Sequence, residues 1–348
     1  PVTGVANPRI RIIPLNQARF RAGGRFDLRV EVSGVDPATA RIEIGVSGER
    51  GPVPLLTGTP QRTSSVAGSL EITYRGLAYP GAGRHLVAVT VVDGGQTLRA
   101  SVVHQVVGAA RPARRAKNVI FFLGDGMGGA AITAARLLSK GITEGRYQGL
   151  LEMDTMQHRG IVGTSGADSI ATDSANSMSA YMTGHKSSVN AMGVYESNAT
   201  DPTAHPRVET MAELVRRARG MAVGVVTTAE VQDATPAAVW AHTRRRSEYA
   251  EIMNQALRPA QRPDVLLGGG LASLLPKSQT GSKRTDERNL VAEFQALGYA
   301  HAQDRAQLLQ VGSFAVGILD WTASQPAADR PFVPPTFAVV DAGAAASS

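Results

Sequence analysis

The stretch NVIFFLGDGMGGAAITAARLLSK, residues 118–140, decides how this chain is read. Its first part, Val119 to Leu123, is apolar without interruption, the composition of a strand buried on both faces of a parallel sheet. A glycine-rich turn follows, then apolar residues at helical spacing. The same alternation recurs downstream. ETMAELVRRAR (209–219) reads as an amphipathic helix stopped by Gly220, and MAVGVVTT (221–228) as a strand. SEYAEIMNQAL (247–257) is a second such helix and DVLLGGG (264–270) another strand and turn. Strands alternating with helices predict an α/β domain with a largely parallel sheet.

Upstream the period changes to two. Phe26, Leu28, Val30 and Val32 alternate with polar neighbours, as do Ile42, Ile44 and Val46, and Leu70, Ile72 and Tyr74. Such alternation puts one set of side chains on one sheet face. RHLVAVTVV and TLRASVVHQVV, joined by DGGQ, predict a hairpin. Residues 1–107 therefore read as an immunoglobulin-like β-sandwich. It offers no candidate site residues, so a spacer or docking module is expected. GAARPARRAK (108–117) is small, basic and Pro-containing and reads as a linker. The expected layout is the sandwich at 1–107, the linker at 108–117, the α/β domain at 118–310 and an atypical, partly disordered tail at 311–348.

Composition narrows the functional classes. The chain has 348 residues, enough for two domains, and is 43% hydrophobic and 19% charged, as in ordinary globular proteins. No apolar run approaches the ~18 residues of a membrane helix. The absence of cysteine excludes disulfides, thiolate metal sites and Cys nucleophiles. A net charge of +7 favours acidic partners such as phosphate esters, anionic membrane surfaces or nucleic acid. Aromatics make up only 5% and do not interleave with the basic clusters RPARR and RRR, so a nucleic-acid platform is not expected. The PVTGVANPRI start, without Met, suggests a leader removed or left out.

Three clusters carry candidate chemistry. In FFLGDGMGG, Asp125 stands at the carboxyl end of the predicted strand, the edge where open α/β sheets build their sites; a capped tight turn is the alternative. In TSGADSIATDSANSMSAYMTGHK, Asp173 and Ser174 precede a small-residue helix, Ala175 to Thr183. Ser174 reads there as a helix cap, a surface hydroxyl or a nucleophile, since free N–H groups at that end favour an anionic oxygen. In TTAEVQDATPAAVWAHTRRR (227–246), Asp233 and Thr235 lie two apart. In an extended segment that spacing points both oxygens the same way, as a hard cation such as Mg²⁺ requires; two cap residues are the alternative. One arginine of the RRR run is a candidate phosphate clamp.

Taken together and in this order, these segments resemble the alkaline phosphatase family over roughly residues 117–310. TDSANSMSAYMTGHK follows the family's nucleophile signature, FFLGDGMG is similar to its first metal-ligand segment, and TAEVQDATPAAVWAHTRRR to its Mg²⁺ and phosphate-arginine segment. DVLLGGG resembles its next strand. The resemblance implies a three-layer α/β fold and hydrolysis of phosphate monoesters at a Zn/Mg site. It implies that Ser174 attacks phosphorus and becomes phosphoserine, that Asp125 bridges a Zn²⁺ and the Mg²⁺ site, and that Asp173 orients the arginine. Asp233 and Thr235 would bind Mg²⁺, and Arg246 would hold two phosphate oxygens, with Arg244 and Arg245 as solvated neighbours. A periplasmic, cell-envelope or secreted location goes with it.

The family's later ligands have no counterpart here. Beyond Arg246 the one histidine is His301, and neither an Asp-x-x-x-His nor an Asp-His pair occurs. Zinc takes about four ligands, three of them from protein at catalytic sites. The α/β domain is thus read as incomplete on its C-terminal side, from a fragment, a truncation or a degenerate relative. A homo-oligomer or partner chain covering the incomplete sheet is expected. The alternative function is a catalytically incomplete docking component of a cell-envelope assembly.

Overall fold

A computed structural model describes residues 8–108 and 116–311, with the backbone of one further strand at 315–318. Most of the expected linker and nearly all of the expected tail lie outside the described residues.

The N-terminal part is built from β1 (Arg9–Ile13), β2 (Arg19–Arg21), β3 (Arg25–Ser33), β4 (Arg41–Gly48), β5 (Gly51–Pro52), β6 (Gln61–Thr63), β7 (Ser69–Ala78), β8 (Gly83–Asp93) and β9 (Gln96–Val107). They form two sheets, ordered β1-β3-β7-β6 and β2-β9-β8-β4-β5. The expected hairpin is β8–β9, paired antiparallel from Gly83↔Val106 to Asp93↔Gln96. Phe26, Leu28, Val30, Val32 and Leu70 of the first sheet share one core with Val46, Val87, Val89, Val91 and Val106 of the second. That is a β-sandwich.

The second part contains α1 (Gly129–Lys140), a short hairpin of β10 (Ile142–Thr143) and β11 (Arg146–Tyr147), α2 (Ser174–Thr183), α3 (Met211–Arg219), β12 (Gly224–Glu230), α4 (Ala234–Ala237), α5 (Tyr249–Gln255), β13 (Val265–Gly269), α6 (Leu290–Ala296), β14 (Ala300–Ala302), α7 (Arg305–Gln310) and β15 (Ala315–Ile318). Strands pair in parallel in the order β12-β13-β15-β14. Trp240, Ile252, Met253, Leu266, Leu274, Leu290 and Phe294 form a core of their own beside this sheet. An N-terminal β part followed by an α/β part is the expected fold class.

One expectation needs correction. Val119–Leu123 is not a strand: the segment is irregular, and its five apolar side chains are 38% to 75% exposed. A parallel strand needs a ladder neighbour and helices over both faces. Among the described residues the sheet ends at β12, whose Val226 is itself exposed.

In the sandwich, the polar set of β3 and β7 is buried as well: Asp27, Arg29, Glu31 and Glu71 are 5%, 3%, 8% and 0% exposed. The segment 194–209 of the α/β part lies over this face. Asp27 accepts hydrogen bonds from Arg75 at 2.6 Å and from the Gly76 and Arg207 N–H groups at 2.8 and 3.0 Å. Phe26 forms a bridge with Val208, and the Glu209 N–H donates to the Arg25 carbonyl. The β part and the segment 194–209 are thus hydrogen-bonded to each other across this face.

Removing one acceptor from such a network strands its buried donors. Asp27→Ala is expected to cost about 2–4 kcal/mol in urea unfolding, against less than about 0.5 kcal/mol for Glu43→Ala on the exposed side of β4. Equal midpoints for the two variants would remove the docking interpretation.

Candidate active site

The site grows from two helix starts that meet. Asp173 caps α2, accepting from the Asn176 N–H at 3.1 Å while Asn176 Oδ1 accepts from the Asp173 N–H. The helix is made of small residues, so Ala175 and Met178 pack closely with Ala234 and Ala237 of α4 in one core. Asp233 caps α4, accepting from the Ala234 N–H at 2.8 Å. That turn follows the carboxyl end of β12, the edge where open parallel sheets place ligands. Asp125 comes from the irregular segment before α1, where Gly126 at φ 62° reverses the chain without a Cβ penalty.

All six residues picked out by the motifs converge. Ser174 Oγ donates to the Asp125 carboxylate, 3.0 Å from each oxygen. Thr235 Oγ1 donates to the same carboxylate at 2.7 Å. Arg246 spans the two caps, donating to Asp173 at 3.2 Å and to Asp233 at 2.8 Å. Burial disfavours its charged form, but the two aspartates more than offset that, and its pKa is raised. Asp233 and Thr235 do not point together as an extended spacing predicts. Asp233 is a helix cap and Thr235 lies inside the helix, so one faces Arg246 and the other Asp125.

The sequence did not single out Asn190, whose N–H donates to Asp173 at 3.3 Å. Nor did it single out the cavity of about 480 Å³ beside Arg246, which Asn190, Glu196, His205 and Arg245 also line. The Arg244 side chain pairs with Glu196 at 2.9 Å instead of standing free in solvent.

The donor set discriminates between metals. Asp125 and Thr235 offer hard oxygens close together, which suits Mg²⁺. Zinc's nitrogen donors are not near. His185, His205 and His242 are buried and hydrogen-bonded elsewhere, and His158 is exposed. His301 sits on β14, at the opposite edge of the sheet from β12. Among the described residues no three His, Cys, Asp or Glu side chains converge as a metal site. The residues described here fit a Mg²⁺ ligand pair and do not fit a zinc pair.

The family model described as alkaline phosphatase matches residues 116–317. The chain belongs to the alkaline phosphatase family. It is 38% identical over 216 residues to streptomycin-6-phosphate phosphatase of Streptomyces griseus, a match covering 56% of this chain and 44% of that protein. It is 34% identical over 216 residues to an alkaline phosphatase of Escherichia coli K12, with the same two coverages. Among solved structures, the cold-active alkaline phosphatase of a psychrophilic Shewanella species is 30% identical, with a TM-score of 0.46, over 57% of this chain and 44% of that one. The chain spans less than half the length of these relatives.

Beneath the site lies a buried ion pair. The two ring nitrogens of His242 face the Gly193 carbonyl at 2.8 Å and the Glu213 carboxylate at 3.0 Å. Burial disfavours the imidazolium, yet Glu213 more than compensates and raises the pKa of His242. Burial likewise opposes ionisation of Glu213, but His242 and the Thr210 donors hold its pKa below the usual value. Because the folded pKa of His242 is raised, its stabilisation is fully present below about pH 6.5 and is lost as pH rises through the folded value. Unfolding free energy should therefore fall as pH rises above about 6.5 more for the wild type than for His242→Gln. Parallel pH profiles would contradict the pair.

Proposed function

We propose that this chain carries the phosphate-acceptor half of a phosphomonoesterase site, with Ser174 as nucleophile. The observation that carries the reading is the meeting of Ser174, Asp125 and Arg246 at the paired starts of α2 and α4. Asp125 accepts the Ser174 hydroxyl hydrogen and so turns the oxygen lone pairs outward. Ser174 Oγ bonds to phosphorus as the ester P–O bond breaks, and the proton that the serine hydroxyl gives up is, in balance, the one that the leaving alkoxide takes to depart as the alcohol. Water then releases phosphate from phosphoserine. Arg246 offers a planar fork to two phosphate oxygens, and the first N–H groups of α2 add partial positive charge. Mg²⁺, held by Asp125 and Thr235, would neutralise charge on the transferring group, with Asp233 acting through Arg246. No step is assigned to zinc, whose ligands are not met among the described residues.

On this reading, residues 1–107 are the docked sandwich, 108–117 the linker and 118–310 the phosphatase part; the separate apolar cores support the division. The exposed Val119–Leu123 run supports a covering partner or second copy. A periplasmic, envelope or secreted location accompanies the family. Among the described residues no helix is long and apolar enough to cross a membrane.

The missing nitrogen donors favour a second reading, a docking component that binds phosphate without turnover. The two separate in one assay. Purified protein with Zn²⁺ and Mg²⁺ should cleave a chromogenic phosphate monoester, Ser174→Ala should abolish cleavage, and Arg246→Ala should lower kcat/KM by about 10²–10³-fold. Phosphate binding with no turnover would establish the second reading instead.

A further inference from the structure

The cavity beside Arg246 has a wall that the β-sandwich holds in place. Its outer side is the loop 196–205. Within that loop Asn198 reaches into the first sheet of the sandwich. Its Oδ1 accepts from Arg29, its Nδ2 donates to Glu71 at 2.7 Å, and its N–H donates to Glu31 at 2.8 Å. All three partners are buried. Arg75 of the sandwich adds a hydrogen bond to the Ala204 carbonyl at 3.0 Å. On the inner side the cavity adjoins the candidate nucleophile, because Arg246 and Asn190 both line it and both contact Asp173, the residue before Ser174.

The charges of the lining are unequal in how far they are already answered. Arg246 is matched by Asp173 and Asp233, and Arg244 by Glu196 at 2.9 Å. His205 is held neutral near pH 7: burial, then Arg244 and Arg29, lower its pKa to about 4. Arg245 differs. Its side chain is 62% exposed, and its carboxylate neighbour, Glu248, stands at 4.0 Å, the far limit of an ion pair. A guanidinium so placed is a donor fork with spare capacity.

We propose that this cavity receives the alcohol portion of the phosphate ester and selects alcohols bearing a second anionic group, bound by Arg245, with Asn198 as the positioning residue through which the sandwich fixes the wall. The proposal rests on the phosphate reading of Arg246 but does not require turnover. It gives the docked sandwich a part in substrate choice.

3-Phosphoglycerate and glycerol 3-phosphate make a matched pair of probes, differing by a carboxylate in place of a hydroxymethyl group. Calorimetry on Ser174→Ala should show roughly two- to fivefold tighter binding of 3-phosphoglycerate, the scale of one partly exposed ion pair. Arg245→Ala in that background should erase the ratio, and Arg245→Lys should restore part of it. Asn198→Ala should shrink the ratio while leaving the Kd of inorganic phosphate unchanged. Equal affinity for the two probes, binding of neither, or a ratio that survives Arg245→Ala overturns the proposal. So does an Asn198→Ala variant that loses phosphate affinity in the same proportion. Turnover is read separately, by adding both esters to the metal-supplemented wild type. A binding ratio without turnover would support the pocket and sink the hydrolase reading alone.

Discussion

Arg29 answers a problem that the sheet register creates. The pairing of β3 with β7 places Glu31 directly opposite Glu71 on the same face. Two carboxylates in that relation repel, and both are buried. Arg29 donates to Glu31 at 2.9 Å and lies 3.9 Å from Glu71, and Asn198 supplies one N–H to each carboxylate. Burial pushes the Glu71 pKa up, but donors from Ser69, Thr63, Asn198 and Ser65 more than offset it. Sandwich residues supply most of the donors to Glu71, and Asn198 adds one N–H to each of the two facing carboxylates. The two parts thus share one buried polar network across that face.

The same constraint explains which part of the fold was legible in sequence. Hydrophobic alternation marked the strands that build the sandwich core, and it left the burial of Asp27, Arg29 and Glu31 unread. Periodicity reports that a residue is polar, not whether another segment of the chain supplies its partners. A signal was available in the charges: an acid–base–acid alternation on β3 opposed by Glu71 is poor composition for a plain exposed face. Local rules worked best where local chemistry decides. The capping boxes at Asp173 and Thr210 and the left-handed glycines Gly184 and Gly220 bound α2 and α3 close to where the residue types put them.

Val119–Leu123 failed for the opposite reason. Its composition specifies a strand with neighbours on every side, and a strand is a property of its neighbours as much as of its own residues. Among the described residues β12 is the edge of the sheet and its Val226 is open, so that composition has no ladder to join there. Asp125 nevertheless reaches its partners, because Gly126 sets the turn and the Ser174 and Thr235 hydroxyls tether the carboxylate. The position of this candidate ligand thus depends on hydroxyl contacts, not on a packed strand behind it. It is the least supported member of the site, while Asp173 and Asp233 are set by helix starts.

That difference in support has a chemical consequence. Asp173 spends one carboxylate oxygen on the Asn176 and Asn190 N–H groups and the other on Arg246. Asp233 divides its work differently, giving one oxygen both to the Ala234 N–H and to Arg246. The two caps and the guanidinium are therefore one mechanical unit joining α2 to α4. A phosphate arriving at Arg246 meets a fork whose plane is already fixed by two helix ends, which lowers the ordering cost of binding. Each aspartate holds its helix and the arginine with the same side chain. Ser174 needs no separate device to place it: as the first residue of α2, it is oriented by the cap that also orients Arg246, the arginine proposed to bind the anion.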